Sequence, residues 1–244
     1  MRIASKKLFI MVVAVLLSFN NIIFAEAIRS KATKTDKVKV EKKIIMLDPG
    51  HGGIDGGAVA KDGTVEKNIN LSISLMLRDK LEKMGYEVIM TREEDKGLYT
   101  ENGSIRKKKN EDLANRCRVK KESNCDLFIS IHLNAFPQTQ YSGAQIWYSK
   151  NEGSRKLAHI IQQNMKNDLN KDNNRVEKSA KNDYKILRDD GITSVIVECG
   201  FLSNLQEKEK LVSSEYQNQI AESIAKSVRE YYDEEKDKIK ENSN

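Results

Sequence analysis

Two of the histidines in this chain stand where apolar, strand-like runs give way to loops. His51 lies in the loop after the run IIML, and His132 comes directly after the run LFISI. The chain contains only 3 histidines, so this repeated placement is unusual. Two carboxylates occupy comparable positions, with Glu66 at the start of the helix predicted after the first loop and Glu198 at the end of a third apolar run. These four residues are the candidates for a chemical site.

Two imidazoles and one carboxylate make a common ligand set for catalytic zinc, which keeps a fourth coordination position for water. We assign His51, Glu66 and His132 to that set. Zinc brings the pKa of its water to about 7, and a base must then take a proton and pass it to the leaving nitrogen. Glu198 suits that role because it ends an apolar strand. The residues alone thus predict a zinc hydrolase and leave its substrate open.

Each candidate also has a simpler interpretation when it is taken singly. A histidine at a strand end is often structural, Glu66 would favour the dipole at a helix start, and Glu198 could form a structural ion pair. The glycine-rich loop after the first strand fits neither a Walker loop nor G-x-G-x-x-G. Convergence of four separate positions favours a site, in which the glycines let the backbone pass close to the metal. The third histidine, His159, is predicted to lie on the polar surface of its helix.

Strand-like and helix-like segments alternate along the chain. Besides the first run, we predict strands over residues 86–91, 127–131, 144–148 and 194–198. Helices are predicted over residues 66–84, 112–121 and 152–169, with a last one around Ile220, Ile224 and Val228. This alternation predicts an α/β fold of three layers, with a mostly parallel or mixed twisted sheet and helices on both faces. Ligands of such sheets bind beyond the carboxyl ends of the strands, where the candidates lie.

The two ends of the chain differ in composition from its middle. Three basic residues precede an apolar stretch over residues 8–17, and an Ala-Glu-Ala site ends at Ala27. This pattern predicts a secretory signal, with an uncleaved anchor as the alternative. We therefore expect a signal segment, a lysine-rich linker, a catalytic domain and a disordered tail, over residues 1–27, 28–42, 44–232 and 233–244. Export would place the protein outside the cytoplasm, in contact with a membrane only through its N-terminal segment.

The chain is basic, with a formal net charge of +6. Removing residues 1–27 takes away three basic residues and one acidic residue, which leaves +4. A basic exported protein suits an anionic wall polymer as its partner. The densest basic patch, Lys107–Lys109, falls in a polar segment through Asn110 that we predict to be a surface loop. No aromatic residues interleave with this patch, which argues against binding of nucleic acid.

The cysteines are Cys117, Cys125 and Cys199, an odd number without a C-x-x-C pair. This argues against a disulfide framework and against a structural zinc held by cysteine. Side chains alternate along a strand, so Cys199 should face away from its neighbour Glu198. We expect Cys199 to be a small buried hydrophobe.

On these residues the chain resembles the zinc-dependent N-acetylmuramoyl-L-alanine amidases. The matching motifs, spread from Ile44 to about Tyr232, are LDPGHGG, EKN, TR, DLFISIHLNA and VECGFLSN. The resemblance implies a zinc-peptidase-like α/β fold and hydrolysis of the amide between the lactyl group of muramic acid and the L-alanine of the stem peptide. Carried over by position, the zinc ligands fall on His51, Glu66 and His132, and the catalytic glutamate on Glu198.

The chain is most similar to the germination-specific members of that family. This resemblance lies in the segments KGLYTEN, IRKKKNEDL and HLNAFPQTQY. It implies action on spore cortex, as a step towards muramic-δ-lactam, in the cell wall or the space between the forespore membranes. Two positions depart from the family pattern, because Thr193 stands where proline is common and Val176 follows Arg175 where glycine is usual.

Three further hypotheses stay open at this point. The first is a cysteine-dependent wall amidase that uses Cys199, Cys125 or Cys117, which would need a histidine within reach of the thiol. The second is a peptidoglycan-binding protein that keeps the fold without turnover, against which the intact Glu198 argues. The third concerns a partner: because no wall-binding repeat is recognised in the sequence, an accessory exported protein could support activity or zinc loading.

Overall fold

The computed structural model describes residues 42–188 and 191–241. The predicted signal segment and nearly all of the predicted linker therefore lie outside the described residues. The strands are β1 (Ile44–Pro49), β2 (Glu87–Met90), β3 (Leu127–Asn134), β4 (Gln145–Tyr148), β5 (Lys178–Ser179) and β6 (Thr193–Phe201). The α-helices are α1 (Glu66–Lys83), α2 (Ile105–Glu122), α3 (Glu152–Leu169), α4 (Leu205–Leu211) and α5 (Ser214–Glu241), with a 3-10 turn over Lys185–Leu187.

The strands form one mixed sheet in the order β2-β1-β3-β6-β4-β5. β1 is parallel to both β2 and β3, and β3 is parallel to β6. β4 runs antiparallel to β6, and β5 is parallel to β4. The predicted α/β class with a mostly parallel or mixed sheet is therefore confirmed. Its four parallel strands end at one edge, where the candidate residues are found.

Helices cover both faces of this sheet, which makes three layers. Alternate residues of the central strands, such as Leu47, Ile129 and Val197, pack in one core cluster with α1, α3 and α5. Their neighbours Met46 and Phe128 pack in a second cluster on the face of α2. Because both faces are buried, the central strands are almost continuously apolar rather than alternating.

α2 begins earlier than the sequence predicted. We expected a surface loop through Asn110, but the helix already starts at Ile105, and the basic patch Lys107–Lys109 is helical. The side chain of Ser104 caps the start by accepting a hydrogen bond from the backbone of Lys107. The buried positions of α2 include Asp112, Arg116 and Lys120 instead of an apolar stripe. Periodicity missed the first turns because they are mostly exposed and charged and carry no apolar stripe.

α5 continues through Glu241, so a helix stands where we expected a disordered tail from Asp233. Lys156 of α3 forms an ion pair of 2.7 Å with Glu235, which ties this last part of α5 to its neighbour. Ion pairs one turn apart follow along the helix, including Lys240 with Asp237. Among residues 42–188 and 191–241, no helix combines the length and apolar character that a bilayer crossing requires.

Candidate functional site

The structure brings the three predicted ligands together. His51 lies in the loop after β1, Glu66 is the first residue of α1, and His132 lies near the end of β3. One oxygen of Glu66, Oε1, is 3.3 Å from His51 Nε2 and 3.1 Å from His132 Nδ1. The donor atoms of all three side chains lie within 4.8 Å of one another. A single small cation can therefore contact all three.

These separations suit zinc. Its bonds to nitrogen and oxygen donors are about 2.0–2.1 Å, so two donors of a tetrahedral site lie about 3.3 Å apart. Two imidazoles and one carboxylate are also donors that zinc readily accepts, and they leave one position open. Distances and donor chemistry both fit a zinc ion at this place.

His51 is held in a constrained conformation by a neighbouring carboxylate. Its backbone has a φ of 62°, which is uncommon outside glycine. Its Nδ1 lies 2.9 Å from Asp55 Oδ2, so Nε2 is the atom turned towards Glu66. Burial would lower the pKa of His51, but hydrogen bonds to Asp55 and Glu66 outweigh burial and raise the pKa to about 9. A proton and a metal therefore compete for Nε2, and metal binding would release that proton.

Glu66 is buried, and its carboxylate is fixed by several donors. The backbone amide of Ala58 donates to Oε2 at 2.8 Å, and the amide of Leu133 donates to Oε1 at 3.0 Å. Asn70, one turn further along α1, donates to the same Oε1 at 3.1 Å. Burial would raise the pKa of Glu66, yet the contacts with His132 and His51 hold it well below its usual range. The carboxylate is thus kept ionised, as a metal ligand must be.

Glu198 stands next to this group on the neighbouring strand. His132 and Glu198 are register partners in the parallel pair β3–β6, so their side chains share one face. Glu198 is buried, and its Oε2 has no hydrogen-bond partner among the described residues. Burial raises the pKa of this carboxyl to about 7. A carboxyl with that pKa can both accept and return a proton near neutral pH.

Two buried arginines that the sequence analysis did not single out hold the loop that carries His51. Arg116 donates to the carbonyl of His51 at 2.6 Å and to Asp48 at 2.5 Å. Arg92 donates to the carbonyls of Pro49 and Gly50 at 2.9 and 3.0 Å. These contacts satisfy carbonyls of the loop after β1, of which those of Pro49 and Gly50 belong to buried residues. The sequence indicated these two arginines only weakly. Arg92 belongs to the motif TR, which the chain shares with the amidases that it resembles. Arg116 lies on the inner face of α2, a helix without apolar periodicity.

The remaining histidine and the cysteine beside Glu198 lie away from this chemistry. His159 is exposed on α3 and contacts Glu177, as its predicted surface position requires. Cys199 is buried in the core cluster on the face of α1, α3 and α5, which confirms the prediction of a small buried hydrophobe. Burial raises the pKa of its thiol well above the usual range. A thiol kept protonated in this way is a poor nucleophile, which argues against a cysteine amidase that uses Cys199.

Two glycines leave space for the ligand side chains. A Cβ at Gly50 would overlap the His132 ring. A Cβ at Gly57, whose φ is +70°, would lie 2.5 Å from Glu66 Oε2 and 2.6 Å from His51 Cδ2. At these two positions the lack of a side chain lets the backbone pass close to His132, Glu66 and His51; that the glycines also admit a metal stays a prediction.

Gly57→Ala should weaken zinc binding by about 10-fold or more, because Glu66 and His51 must move apart to admit the methyl group; a loss of 10-fold corresponds to about 1.4 kcal/mol. Zinc affinity is measured by competition with a coloured chelator. Gly63→Ala is the matched control, since Gly63 has a φ of +87° with nothing within 4 Å of the added Cβ. Gly63→Ala therefore introduces backbone strain without displacing the side chains of the candidate site. Equal zinc affinity in the two variants would contradict this account of the site.

The comparisons with known proteins agree with this geometry. The N-acetylmuramoyl-L-alanine amidase family matches residues 45–230. A germination-specific N-acetylmuramoyl-L-alanine amidase of Bacillus subtilis is 39% identical over 199 residues, which cover 80% of this chain and 82% of that protein. The CwlD amidase from Clostridioides difficile, solved in complex with the GerS lipoprotein, is 46% identical with a TM-score of 0.77, over 79% of this chain and 99% of that one. An N-acetylmuramoyl-L-alanine amidase from Clostridium difficile 630 is 31% identical with a TM-score of 0.68, over 79% and 97% of the two chains.

The family match spans all the candidate residues, from His51 to Glu198. The matched region also contains every strand of the sheet except the first residue of β1. Sequence likeness, fold and the convergence of the candidate residues therefore agree, and the chain belongs to the N-acetylmuramoyl-L-alanine amidase family.

Proposed function

We propose that this protein is a zinc-dependent N-acetylmuramoyl-L-alanine amidase acting on peptidoglycan. The substrate bond is the amide between the lactyl group of muramic acid and the L-alanine of the stem peptide. One observation carries the proposal: donor atoms of His51, Glu66 and His132 lie within 4.8 Å of one another, and the buried carboxyl of Glu198 stands beside them on the next strand. Family membership supplies the substrate, which the geometry does not specify.

In this proposal three residues of the chain bind the metal ion and a fourth transfers protons. His51, Glu66 and His132 would hold zinc, which when bound supplies a Lewis acid that activates water and polarises the amide carbonyl. Glu198 accepts a proton from the attacking water and delivers it to the departing nitrogen of L-alanine. Its unpartnered Oε2 is free to make that contact. Because the two strands fix Glu198 next to His132, the base needs little reorganisation on the reaction path.

Removing the metal tests the proposal directly. Treatment of the full chain with a chelator should abolish release of stem peptides from purified peptidoglycan, and added zinc should restore it. Alkylation of the thiols should leave the rate unchanged, since Cys125 and Cys199 are buried and a zinc amidase needs none of the three thiols. Activity that survives complete metal removal, or that is lost on alkylation alone, would refute a zinc amidase and favour a cysteine enzyme.

We further propose that the natural substrate is spore cortex and that the reaction is a step towards the muramic-δ-lactam needed for germination. The support is the 39% identity to a germination-specific amidase. This role places the protein outside the cytoplasm, in the cell wall or between the forespore membranes. Mass spectrometry of cortex digested by the full chain should show muramic acid freed of its stem peptide. Release from vegetative wall but not from cortex would count against the germination role.

An accessory exported protein remains part of this proposal. A similar amidase was solved in complex with a lipoprotein. If such a partner supports activity or zinc loading here, the purified chain alone should turn over more slowly than the same amount of chain in an extract of sporulating cells. Equal rates would remove the need for a partner.

A further inference from the structure

A carboxylate and a lysine outside the ligand set connect helix α2 to the candidate metal site. Asp55 lies in the loop between β1 and α1, and Lys109 lies near the start of α2. Asp55 Oδ2 is 2.9 Å from His51 Nδ1, and Asp55 Oδ1 is 2.8 Å from Lys109 Nζ. The two oxygens of one carboxylate therefore join a metal ligand to a helix from a distant part of the chain.

The geometry of Asp55 suits the orientation of a metal ligand. Histidines that bind metals commonly donate their second ring nitrogen to a carboxylate, which fixes the ring and selects the nitrogen that faces the metal. Asp55 does this for His51, leaving Nε2 directed towards Glu66. Asp55 itself is fixed by the amide of Gly57 at 3.2 Å and by a pair of backbone hydrogen bonds with Gly52. Contacts within its own loop therefore hold the carboxylate in addition to Lys109.

The same helix also contacts His51 directly, at the backbone carbonyl of His51. Arg116, further along α2, donates to the carbonyl of His51 at 2.6 Å. The segment just before α2 adds contacts to the neighbouring residues of the loop. The Tyr99 hydroxyl accepts from the amide of Ile54 at 2.9 Å, and Asp95 accepts from the amide of Gly53 at 2.9 Å. The loop is therefore held from one side by residues 95–116, which include the segment resembling the germination-specific amidases.

We propose that Asp55 is a positioning residue for His51, and that Lys109 holds Asp55 in place, so that α2 and the segment before it keep the metal site assembled. This inference rests on the proposed function, because His51 must be a zinc ligand for it to apply. It assigns a role to one lysine of the basic patch: both Lys107 and Lys109 are exposed, but only Lys109 is paired with Asp55.

Zinc affinity of the full chain, measured by competition with a chelator, tests Asp55. Asp55→Ala should weaken zinc binding by about 10- to 100-fold, the usual effect of losing such a carboxylate. Asp62→Ala is the matched control, because Asp62 is an exposed carboxylate of the same loop, paired with Lys208; it should leave zinc affinity unchanged. Asp55→Asn repeats the test with nearly the same shape, should the alanine variant fail to fold. Wild-type affinity in Asp55→Asn and Asp55→Ala would overturn the proposal.

The role of Lys109 is tested by asking whether its effect on zinc affinity requires Asp55. Lys109→Met should weaken zinc binding by about 2- to 5-fold, as expected for a partly exposed ion pair, and Lys109→Arg should restore it. The same change in the Asp55→Ala background should have no further effect, since Lys109 acts through Asp55. Lys107→Met is the control for loss of one charge on α2. Binding by Lys109→Met as tight as wild type, or tighter, would overturn the assigned role of Lys109.

A spectroscopic measurement distinguishes positioning from loss of folding. The visible absorption of the cobalt-substituted chain reports ligand geometry, and it should change in Asp55→Asn while far-UV circular dichroism stays unchanged. If the wild-type chain binds no zinc either alone or in an extract of sporulating cells, the proposed function fails. If the wild type binds zinc tightly and the Asp55 variants do so equally, only the present inference fails.

Discussion

Replacing Glu198 with Gln should lower kcat by about 100- to 10,000-fold, the range expected when a general acid–base group is removed. Gln keeps the size of the side chain but cannot accept the proton of the attacking water. The three candidate ligands are unchanged, so zinc content should stay at the wild-type level. The rate is measured as release of the L-alanine amine from purified peptidoglycan, and zinc is measured on the same sample. Measuring the rate and the zinc content together distinguishes loss of the base from loss of the metal.

Glu209→Gln serves as the control, because Glu209 is an exposed glutamate of α4. It should turn over as the wild type does. Glu198→Gln should still sediment with peptidoglycan, since binding does not require the base. Normal turnover by Glu198→Gln would refute the mechanism. Absence of turnover in the wild type, both alone and in an extract of sporulating cells, with binding intact, would instead favour the hypothesis of a peptidoglycan-binding protein without catalysis.

The pH dependence of the wild type follows from the same carboxyl. Burial raises the pKa of Glu198 to about 7, whereas the positive charges of His132 and His51 act to lower it. Only the ionised form accepts a proton, so kcat/KM should fall as the pH drops through the pKa of Glu198. A bound cation stabilises the ionised form and should move this limb of the profile below pH 7. The fall of kcat/KM at acid pH should be absent from the residual activity of Glu198→Gln.

Replacing Arg116 with Met should reduce the free energy of unfolding by about 3–5 kcal/mol, because it leaves a buried carboxylate without its partner. The side chains of Arg116 and Asp48 are only 4% and 2% exposed, and they meet at 2.5 Å. Burial alone would raise the pKa of Asp48, but Arg116 and hydrogen bonds from Thr91 and Ser130 hold that pKa below its usual value. Urea unfolding of the metal-free chain measures the change.

Arg118→Met is the matched control on the same helix. Arg118 pairs with Glu122 at 2.6 Å, but both side chains are more than half exposed. Such pairs contribute about 0–1 kcal/mol. Adding Asp48→Asn to Arg116→Met should recover part of the lost stability, because the uncompensated charge is then gone. Equal destabilisation by Arg116→Met and Arg118→Met would show that the buried pair contributes no more to the free energy of unfolding than the exposed pair does.

The Asp48 pair also sets how stability depends on pH. The pKa of Asp48 is lower in the folded chain than in the unfolded chain, so the pair stabilises the fold above the unfolded value of about 3.9. That contribution is lost as the pH falls through the folded pKa. The stability difference between wild type and Arg116→Met should therefore narrow in acid.

Much of the fold could be predicted because the main signals are local. The helix over Glu152–Leu169 was predicted with the bounds that the structure shows, since its apolar residues recur at helical spacing. The central strands were visible as apolar runs. α2 was predicted too short because its first turns are mostly exposed and charged, so they carry no apolar periodicity that separates a helix from a loop. The antiparallel direction of β4 could not be predicted from the sequence either, because an apolar run has the same pattern in a parallel and in an antiparallel strand.

The sequence by itself determined which residues meet at one edge of the sheet: His51, Glu66, His132 and Glu198 lie at strand ends or at a helix start, and the carboxyl ends of parallel strands share an edge. Only the tertiary structure decided how they are held. Asp55 contacts both His51 and Lys109, and Arg116 meets Asp48, 68 positions away in the chain. Such contacts depend on where α2 packs against the loop after β1, and the identity of a lysine or an arginine does not reveal which carboxylate it will meet.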